Sequence, residues 1–217
     1  MSNVLVFAII MAVLMIILLI SAYVRHQRTE AIKKIATAEL EWEFFGDGNE
    51  NIPTLAWDLN LFSKGRGRQV RNLVRVKGKE ASIFIFDYQY QRGSGKNRRN
   101  HYQTVVLLES KTLALPRFFL IPENLFHKIG HLFGYRDINF PEHPQFSRQY
   151  LLRGDWEEKI RQLFNYHLIS FYEFQQGVST EGINNLLAYY YGNISQRPEV
   201  WKAFLTEALD AYRLFKN

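Results

Sequence analysis

The sequence predicts an α+β protein with an N-terminal transmembrane helix followed by a mostly antiparallel, curled sheet packed by amphipathic helices. Three observations support this fold class. The 217-residue chain starts with an uncharged apolar stretch, its middle holds several segments of alternating apolar and polar residues, and apolar residues recur at helical spacing after them. Because β and α patterns do not alternate regularly, a doubly wound parallel sheet is not expected.

The composition supports a folded core and excludes several classes of protein. Hydrophobic residues make up 47% of the chain and aromatic residues 15%, which excludes wholesale disorder. The chain has no Cys, so a disulfide scaffold, a thiol nucleophile and Cys-ligated metal clusters are excluded. We expect a transmembrane anchor over 1–25, a juxtamembrane helix and acidic connecting segment over 26–63, and a soluble α+β domain over 64–217.

The apolar stretch from Val4 to Val24 is long enough to cross a bilayer. It contains no charged residue, Pro or Gly, and a helix needs ~20 such residues to span a hydrocarbon core of ~30 Å. A cleaved secretory signal is the alternative, but such signals have a basic start and a shorter apolar core. Met1-Ser2-Asn3 has no basic residue, which favours an uncleaved anchor.

The residues that flank this stretch predict its orientation. Arg25, Arg28, Lys33 and Lys34 follow it, and nothing basic precedes it. Because basic residues stay on the cytoplasmic side, we expect a single-pass protein with its N-terminus outside and its folded domain in the cytoplasm. A long translocated domain can override this rule, which leaves the opposite orientation open.

The strands are predicted from alternating residues and from turns rich in Gly, Asn and Asp. The hairpin over 81–109 is the clearest, with a long basic loop between its strands. The predicted strands are 39–44, 69–77, 81–91, 102–109, 117–121, 138–140, 146–153, 169–176 and 186–191.

The helices are predicted from apolar spacing and from capping residues. Residues 25–38 continue the anchor as a helix, and 122–133 begin with Pro122 at a first helical turn. Asp155 with Glu158 is typical of a helix start, and a last helix begins near Pro198. The apolar stripe of that last helix comprises Trp201, Phe204, Leu205, Ala208, Tyr212 and Phe215.

His127 and His131 are the weak candidates for a metal site. They stand four residues apart on the predicted helix, with Glu123 one turn earlier. The order H-K-I-G-H has Lys128 where zinc proteases carry their catalytic Glu, so surface histidines are the favoured interpretation. We therefore assign no catalytic residue, metal or other cofactor. A membrane-tethered hydrolase with a site near these histidines remains the alternative function.

The basic excess of the chain is concentrated in residues 64–101. This segment holds eleven basic and two acidic residues, hence +9, whereas the whole chain carries +6. A Lys or Arg close to an anionic leaflet gains ~1 kcal/mol, so these residues predict contact with anionic lipid headgroups or an anionic protein partner. The alternative is a solvated strand face, and nucleic acid is not favoured because no motif for reading it is present. The predicted contacts are Arg71, Arg75, Lys77, Arg92, Lys96, Arg98 and Arg99.

The chain also resembles a group of bacterial membrane-anchored proteins that has no assigned activity. The resemblance rests on Phe86-Asp87-Tyr88-Gln89-Tyr90, on Leu115-Pro116-Arg117-Phe118 with Pro122-Glu123, and on Tyr150-Leu151-Leu152-Arg153-Gly154. It spans roughly 25–191. The resemblance implies a location in the bacterial envelope, which for a single-pass protein with a cytoplasmic domain is the inner membrane, and it implies nothing about a substrate.

Together these patterns predict a non-enzymatic binding or interaction domain that is held at the membrane surface through a basic face. A subunit of a larger membrane complex is a further alternative, for which an exposed apolar patch on the domain would be expected.

Overall fold

A computed structural model describes residues 3–39, 42–78, 80–124 and 137–216. Helix α1, Asn3–Lys34, continues as a π-helical turn, Ile35–Glu39. By length and composition this helix could cross a membrane, and the side chains of 4–20 are exposed. Ile32 and Ala36 are instead buried in the core of the domain. The predicted helix over 25–38 is confirmed, and it joins the apolar stretch to the core without a break.

Eight strands form one open sheet in which all neighbouring strands are antiparallel. The order across the sheet is β1-β2-β3-β4-β8-β7-β5-β6. With its helices this makes an α+β fold, as predicted. The strands are β1 Glu43–Gly46, β2 Arg66–Lys77, β3 Ala81–Arg92, β4 Arg99–Ser110, β5 Leu115–Pro122, β6 Tyr150–Gly154, β7 Val178–Asn184 and β8 Leu186–Tyr191.

Helix α1 and the helices that follow β5 in the chain pack on one face of the sheet. The predicted apolar stripe of the last helix is confirmed, since all six of its residues are buried. Phe215 stacks on Phe118 of β5, with 5.3 Å between ring centroids. The remaining helices are α2 Asn60–Ser63, α3 Pro144–Gln149, α4 Glu157–Leu163, α5 Tyr166–Phe174 and α6 Trp201–Phe215, with 3-10 turns at Asn49–Asn51, Thr54–Asp58, Gly95–Asn97 and Pro198–Val200.

The other face of the sheet is covered by the segment 52–62. Ile52, Ala56, Leu59 and Phe62 from this segment are buried against β2, β3, β4 and β8. The ring of Phe62 meets Tyr88 edge-on at 4.7 Å. The sheet is therefore buried on both faces, which explains why Phe84, Ile85 and Phe86 are all apolar rather than alternating.

Three strand predictions and one helix cap were wrong. Residues 138–140 form neither a strand nor a helix. Residues 169–176 belong largely to α5, because the side chain of Asn165 accepts from the Leu168 N–H at 3.1 Å and starts a helix with an apolar face. Residues 146–149 belong to α3, which Pro144 begins. Asp155 precedes α4 without capping it and pairs with Arg117 at 3.6 Å. Most of the predicted helix 122–133, with His127 and His131, lies outside the described residues.

Candidate functional site

Asp87 of β3 is the centre of a hydrogen-bond network that fastens α1 to the sheet. The Nε and Nη2 atoms of Arg28 donate to its two carboxylate oxygens at 2.7 and 2.6 Å. Asn72 Nδ2 and Thr104 Oγ1 also donate to this carboxylate, at 2.9 and 3.0 Å. The ion pair is mostly withdrawn from water, with side-chain exposures of 25% for Arg28 and 14% for Asp87. Such a two-pronged, charge-assisted contact fixes direction as well as distance.

A local irregularity in β2 brings Asn72 into this network. The pairing of β2 with β3 shifts register between Arg71 and Val74, and Asn72 has a φ of 52°. Asn tolerates this left-handed backbone better than most residues. Its N–H bonds Asp47 Oδ1 at 3.1 Å, and its side-chain oxygen accepts from Thr29 of α1 at 2.7 Å. The irregularity thus adds a second contact between α1 and the sheet.

These contacts set the direction of α1 relative to β3. Ile32 belongs to the same buried cluster as Ile85, Arg28 bonds Asp87, and Arg25 lines a pocket together with Gln89. From its C-terminus toward its N-terminus, α1 therefore runs in the same general direction as β3 does from its start toward the turn that joins it to β4.

We call the two ends of the sheet by this direction. The anchor-side end comprises the turn 93–98 with the adjoining ends of β2, β3 and β4. The far end comprises the turn between β2 and β3 and the end of β4 at Ser110. Pairing of Arg66 with Gln91 and of Arg92 with Arg99 places the start of β2 at the anchor-side end as well.

The structure brings together some of the predicted basic contacts and separates others. Arg92, Lys96, Arg98 and Arg99 lie at the anchor-side end, whereas Lys77 lies at the far end, 3.9 Å from Glu43. Arg71 is half-buried and lines the pocket beside α1. Arg75 lies over the Phe84 ring at 5.9 Å. The alternating pattern of β2 could not have predicted these different environments, because they depend on which residues of β2 face α1.

A pocket of about 180 Å³ opens between the base of α1 and strands β2 to β4. It adjoins the Asp87 network and contains three arginine and two aspartate side chains. Tyr102, 48% exposed, also lines it. Its lining residues are Arg25, Arg28, Thr29, Asp47, Arg71, Asn72, Asp87, Tyr88, Gln89, Tyr102 and Ser195.

A second polar cluster surrounds Glu181 beneath the covering segment on the other face. Glu181 is 1% exposed and accepts from Tyr190 Oη at 2.7 Å and from the Leu61 N–H at 3.0 Å. Burial lowers the pKa of the nearby Lys64, although the Glu181 charge opposes this, and burial raises the pKa of Tyr190 well above its ordinary value. Both carboxylate oxygens are thus engaged by the protein itself, and the cluster ties the covering segment to β7 and β8.

Sequence reasoning missed both polar centres. Asp87 lies in the motif that carries the family resemblance, but that motif assigns it no chemistry, and Glu181 belongs to no motif. Their partners Arg28 and Lys64 lie far away in the chain. The only available signal was a charged residue within an otherwise apolar strand, which indicates a buried and therefore partnered group.

The predicted metal candidates are tested only in small part. Glu123 is described and exposed, while His127 and His131 lie outside the described residues. Within the described ranges, no three His, Asp or Glu side chains are arranged to hold a metal ion.

The fold and this site define a class: an α+β protein in which one apolar helix, long enough to cross a membrane, is fixed to an open antiparallel sheet. No protein-family model and no curated protein match the chain. Among solved structures, the chain is similar to the mycobacterial trehalose monomycolate transport factor A, TtfA, with a TM-score of 0.60 and 13% identity over 87% of this chain and 92% of that one. This likeness shows a shared fold.

Proposed function

We propose that this protein is a membrane-anchored, non-enzymatic binding domain whose anchor-side end lies against anionic lipid headgroups. The observation that carries the proposal is the common direction of α1 and β3. Because the Arg28–Asp87 contact fixes that direction, a bilayer around the apolar part of α1 would meet the turn 93–98 first. We place the domain on the cytoplasmic side of a bacterial inner membrane, as the basic residues after the apolar span favour.

The anchor-side end carries exposed positive charges that an anionic membrane surface would attract. Lys96, Arg98 and Arg99 are exposed, and each gains ~1 kcal/mol near an anionic leaflet. The gain falls off within a Debye length of ~8–10 Å, so only side chains at this end benefit. Since α1 already holds the protein in the bilayer, the attraction orients the domain rather than anchoring it.

One cross-strand pair gives independent support. Arg92 and Arg99 stand directly opposite each other in the β3–β4 hairpin. Like charges in this position destabilise a hairpin by a fraction of a kcal/mol. An anionic surface next to the hairpin relieves that repulsion, which gives the pair a physical role.

The structural similarity to TtfA is consistent with a non-enzymatic role. TtfA is a transport factor for trehalose monomycolate by its description. By analogy, we place this protein beside a membrane process as an accessory factor, with the lipid surface as its first partner. A protein partner would then bind a domain that is already oriented.

Two exposed lysines of the unaltered chain provide the test. Lys96 lies in the anchor-side turn and Lys111 at the far end, and both are exposed. The full-length protein is placed in nanodiscs of phosphatidylglycerol or phosphatidylcholine and treated with an amine-acetylating reagent, and modification of each lysine is followed by mass spectrometry. We expect Lys96 to react several-fold more slowly in phosphatidylglycerol, with Lys111 unchanged. Equal rates of Lys96 in both lipids would overturn the proposal.

A further inference from the structure

We propose that the pocket at the base of α1 binds the phosphate group of one anionic lipid. This inference deepens the proposed function and rests on its placement of the anchor-side end at the bilayer. A lipid held in the pocket is a specific ligand, in contrast to the diffuse attraction of the turn 93–98 to a charged surface.

The charge balance of the pocket favours a single anion. Arg28 is matched by Asp87, and Asp47 accepts from the Asn72 N–H. Arg25 and Arg71 remain, so three arginines face two carboxylates around the cavity. A net positive lining of this size binds a phosphate but gives no advantage to a zwitterion.

The described hydrogen bonds of these two arginines go to neutral acceptors. Arg71 Nε and Nη2 donate to Gln69 Oε1 at 3.2 and 2.7 Å, and Arg25 Nη1 donates to Ser21 Oγ at 3.0 Å. A phosphate is a stronger acceptor than an amide or a hydroxyl, and the planar guanidinium matches two of its oxygens at once. Both side chains can therefore turn toward a phosphate at small cost.

The position of the pocket favours a lipid over a free phosphate. Arg25 follows Val24, the last residue of the apolar stretch, so the cavity lies within about one helical turn of the hydrocarbon boundary. Tyr102 lines the pocket with an amphipathic ring, a side chain that is enriched at membrane interfaces. The volume of about 180 Å³ suits a headgroup, and the acyl chains would lie along α1 in the bilayer.

The test counts lipids that stay bound when the bilayer is removed. Full-length protein is extracted from membranes of mixed phosphatidylglycerol and phosphatidylcholine into mild detergent and measured by native mass spectrometry. We expect one phosphatidylglycerol per chain. Arg71→Gln should reduce the retained fraction about tenfold and Arg71→Lys less, while Arg98→Gln in the turn 93–98 serves as the matched control and should leave retention unchanged.

Several outcomes would overturn the inference. These are equal retention of both lipids, equal loss with Arg98→Gln, full retention by Arg71→Gln, or displacement of the lipid by millimolar inorganic phosphate, which would identify a free-phosphate site. Circular dichroism and thermal unfolding of each variant show whether a lost lipid reflects a lost fold. If Arg71→Gln does not fold, retention of the lipid by Arg71→Lys, relative to the wild type, is the measurement that tests the inference. Shielding of Lys96 without a retained lipid overturns this inference and leaves the proposed function standing, whereas a retained lipid with unshielded Lys96 overturns the proposed function.

Discussion

The two ends of the sheet treat their charges differently. At the far end, Lys77 pairs with Glu43 at 3.9 Å and Lys216 with Glu80 at 2.5 Å. At the anchor-side end, Arg66 and Arg68 donate to backbone carbonyl oxygens, of Gly93 at 3.4 Å and of Phe62 at 2.6 Å. Backbone acceptors hold an arginine without cancelling its charge. The charges of these far-end pairs cancel, whereas the anchor-side arginines keep their positive charge, which the proposed function assigns to contact with an anionic surface.

The largest expected effect concerns the contact that defines this comparison. Asp87→Ala leaves Arg28 without its carboxylate in a mostly buried position and removes the acceptor of Asn72 and Thr104. We expect the free energy of unfolding to fall by about 3 kcal/mol, as for other withdrawn ion pairs. Urea unfolding of the full-length protein in detergent, followed by tryptophan fluorescence, measures it.

The matched control is Asp210→Ala, which breaks the exposed pair between Arg213 and Asp210 at 2.5 Å. It should cost less than about 1 kcal/mol, because solvent screens surface pairs. Equal effects of the two substitutions would show that the Arg28–Asp87 contact does not fix the anchor to the sheet.

The next prediction compares the two ends with two double variants that have the same net charge as each other. Arg98→Gln with Arg99→Gln removes two positive charges from the anchor-side end, and Lys77→Gln with Lys216→Gln removes two from the far end. The first pair should weaken the attraction of the turn to phosphatidylglycerol by about 2 kcal/mol and abolish most of the shielding of Lys96. The second pair should leave that shielding intact.

Acetylation of Lys96 and Lys111 in nanodiscs reads out both double variants, since neither lysine is replaced. Shielding in the wild type should also weaken as salt rises toward 1 M, where the Debye length is ~3 Å. Similar behaviour of the two double variants would remove the distinction between the ends.

A smaller effect isolates the cost of the anchor-side charges in the absence of lipid. Arg99→Thr removes the like-charge pair with Arg92 and introduces a residue that favours strands. In detergent we expect the free energy of unfolding to rise by about 0.5 kcal/mol. Lys77→Thr, the control at the far end, removes a pair with Glu43 and should not stabilise the protein. A loss of stability in Arg99→Thr would contradict the idea that this end is strained by its own charge.

The smallest expected effect concerns Glu207, whose burial, rather than any charge at either end of the sheet, makes the stability depend on pH. Burial raises the pKa of Glu207 above its ordinary value, and its Oε2 accepts from Gln175 Nε2 at 3.2 Å and Tyr191 Oη at 3.3 Å. Since the folded pKa is raised, stability falls as the pH rises from about 4.5 through the folded pKa. Glu207→Gln should therefore gain less than about 0.5 kcal/mol at pH 7 and nothing at pH 4. Unfolding curves at the two pH values check it, and a gain of the same size at pH 4 would contradict it.

Local patterns predicted much of this fold because those elements depend on local residues. The apolar spacing in α6 and the turn residues after Arg92 are sufficient for a helix and a hairpin. The strand prediction for 169–176 was wrong because the aromatic and β-branched residues of this segment fit a strand equally well. The side-chain cap at Asn165 favours the helix. Short apolar runs leave this choice to flanking residues.

The candidate site could be predicted only in part. The basic excess of 64–101 is visible in the sequence, but its division between the two ends follows from strand register, which sets Arg92 opposite Arg99 and Lys77 opposite Ser82. The Arg28–Asp87 contact joins residues 59 positions apart. No local pattern encodes such a pair, so the pocket beside α1 was not predicted.

The most direct test of the central claim measures which end of the sheet faces the bilayer. Because the chain has no Cys, Ser94→Cys and Lys111→Cys each give one labelling position, at the anchor-side and far ends. Each spin-labelled full-length protein is placed in phosphatidylglycerol vesicles that contain a nickel-chelating lipid, whose headgroup relaxes nearby labels. We predict strong relaxation of the label at position 94 and little at position 111. Equal relaxation at the two positions, or stronger relaxation at position 111, would contradict the account.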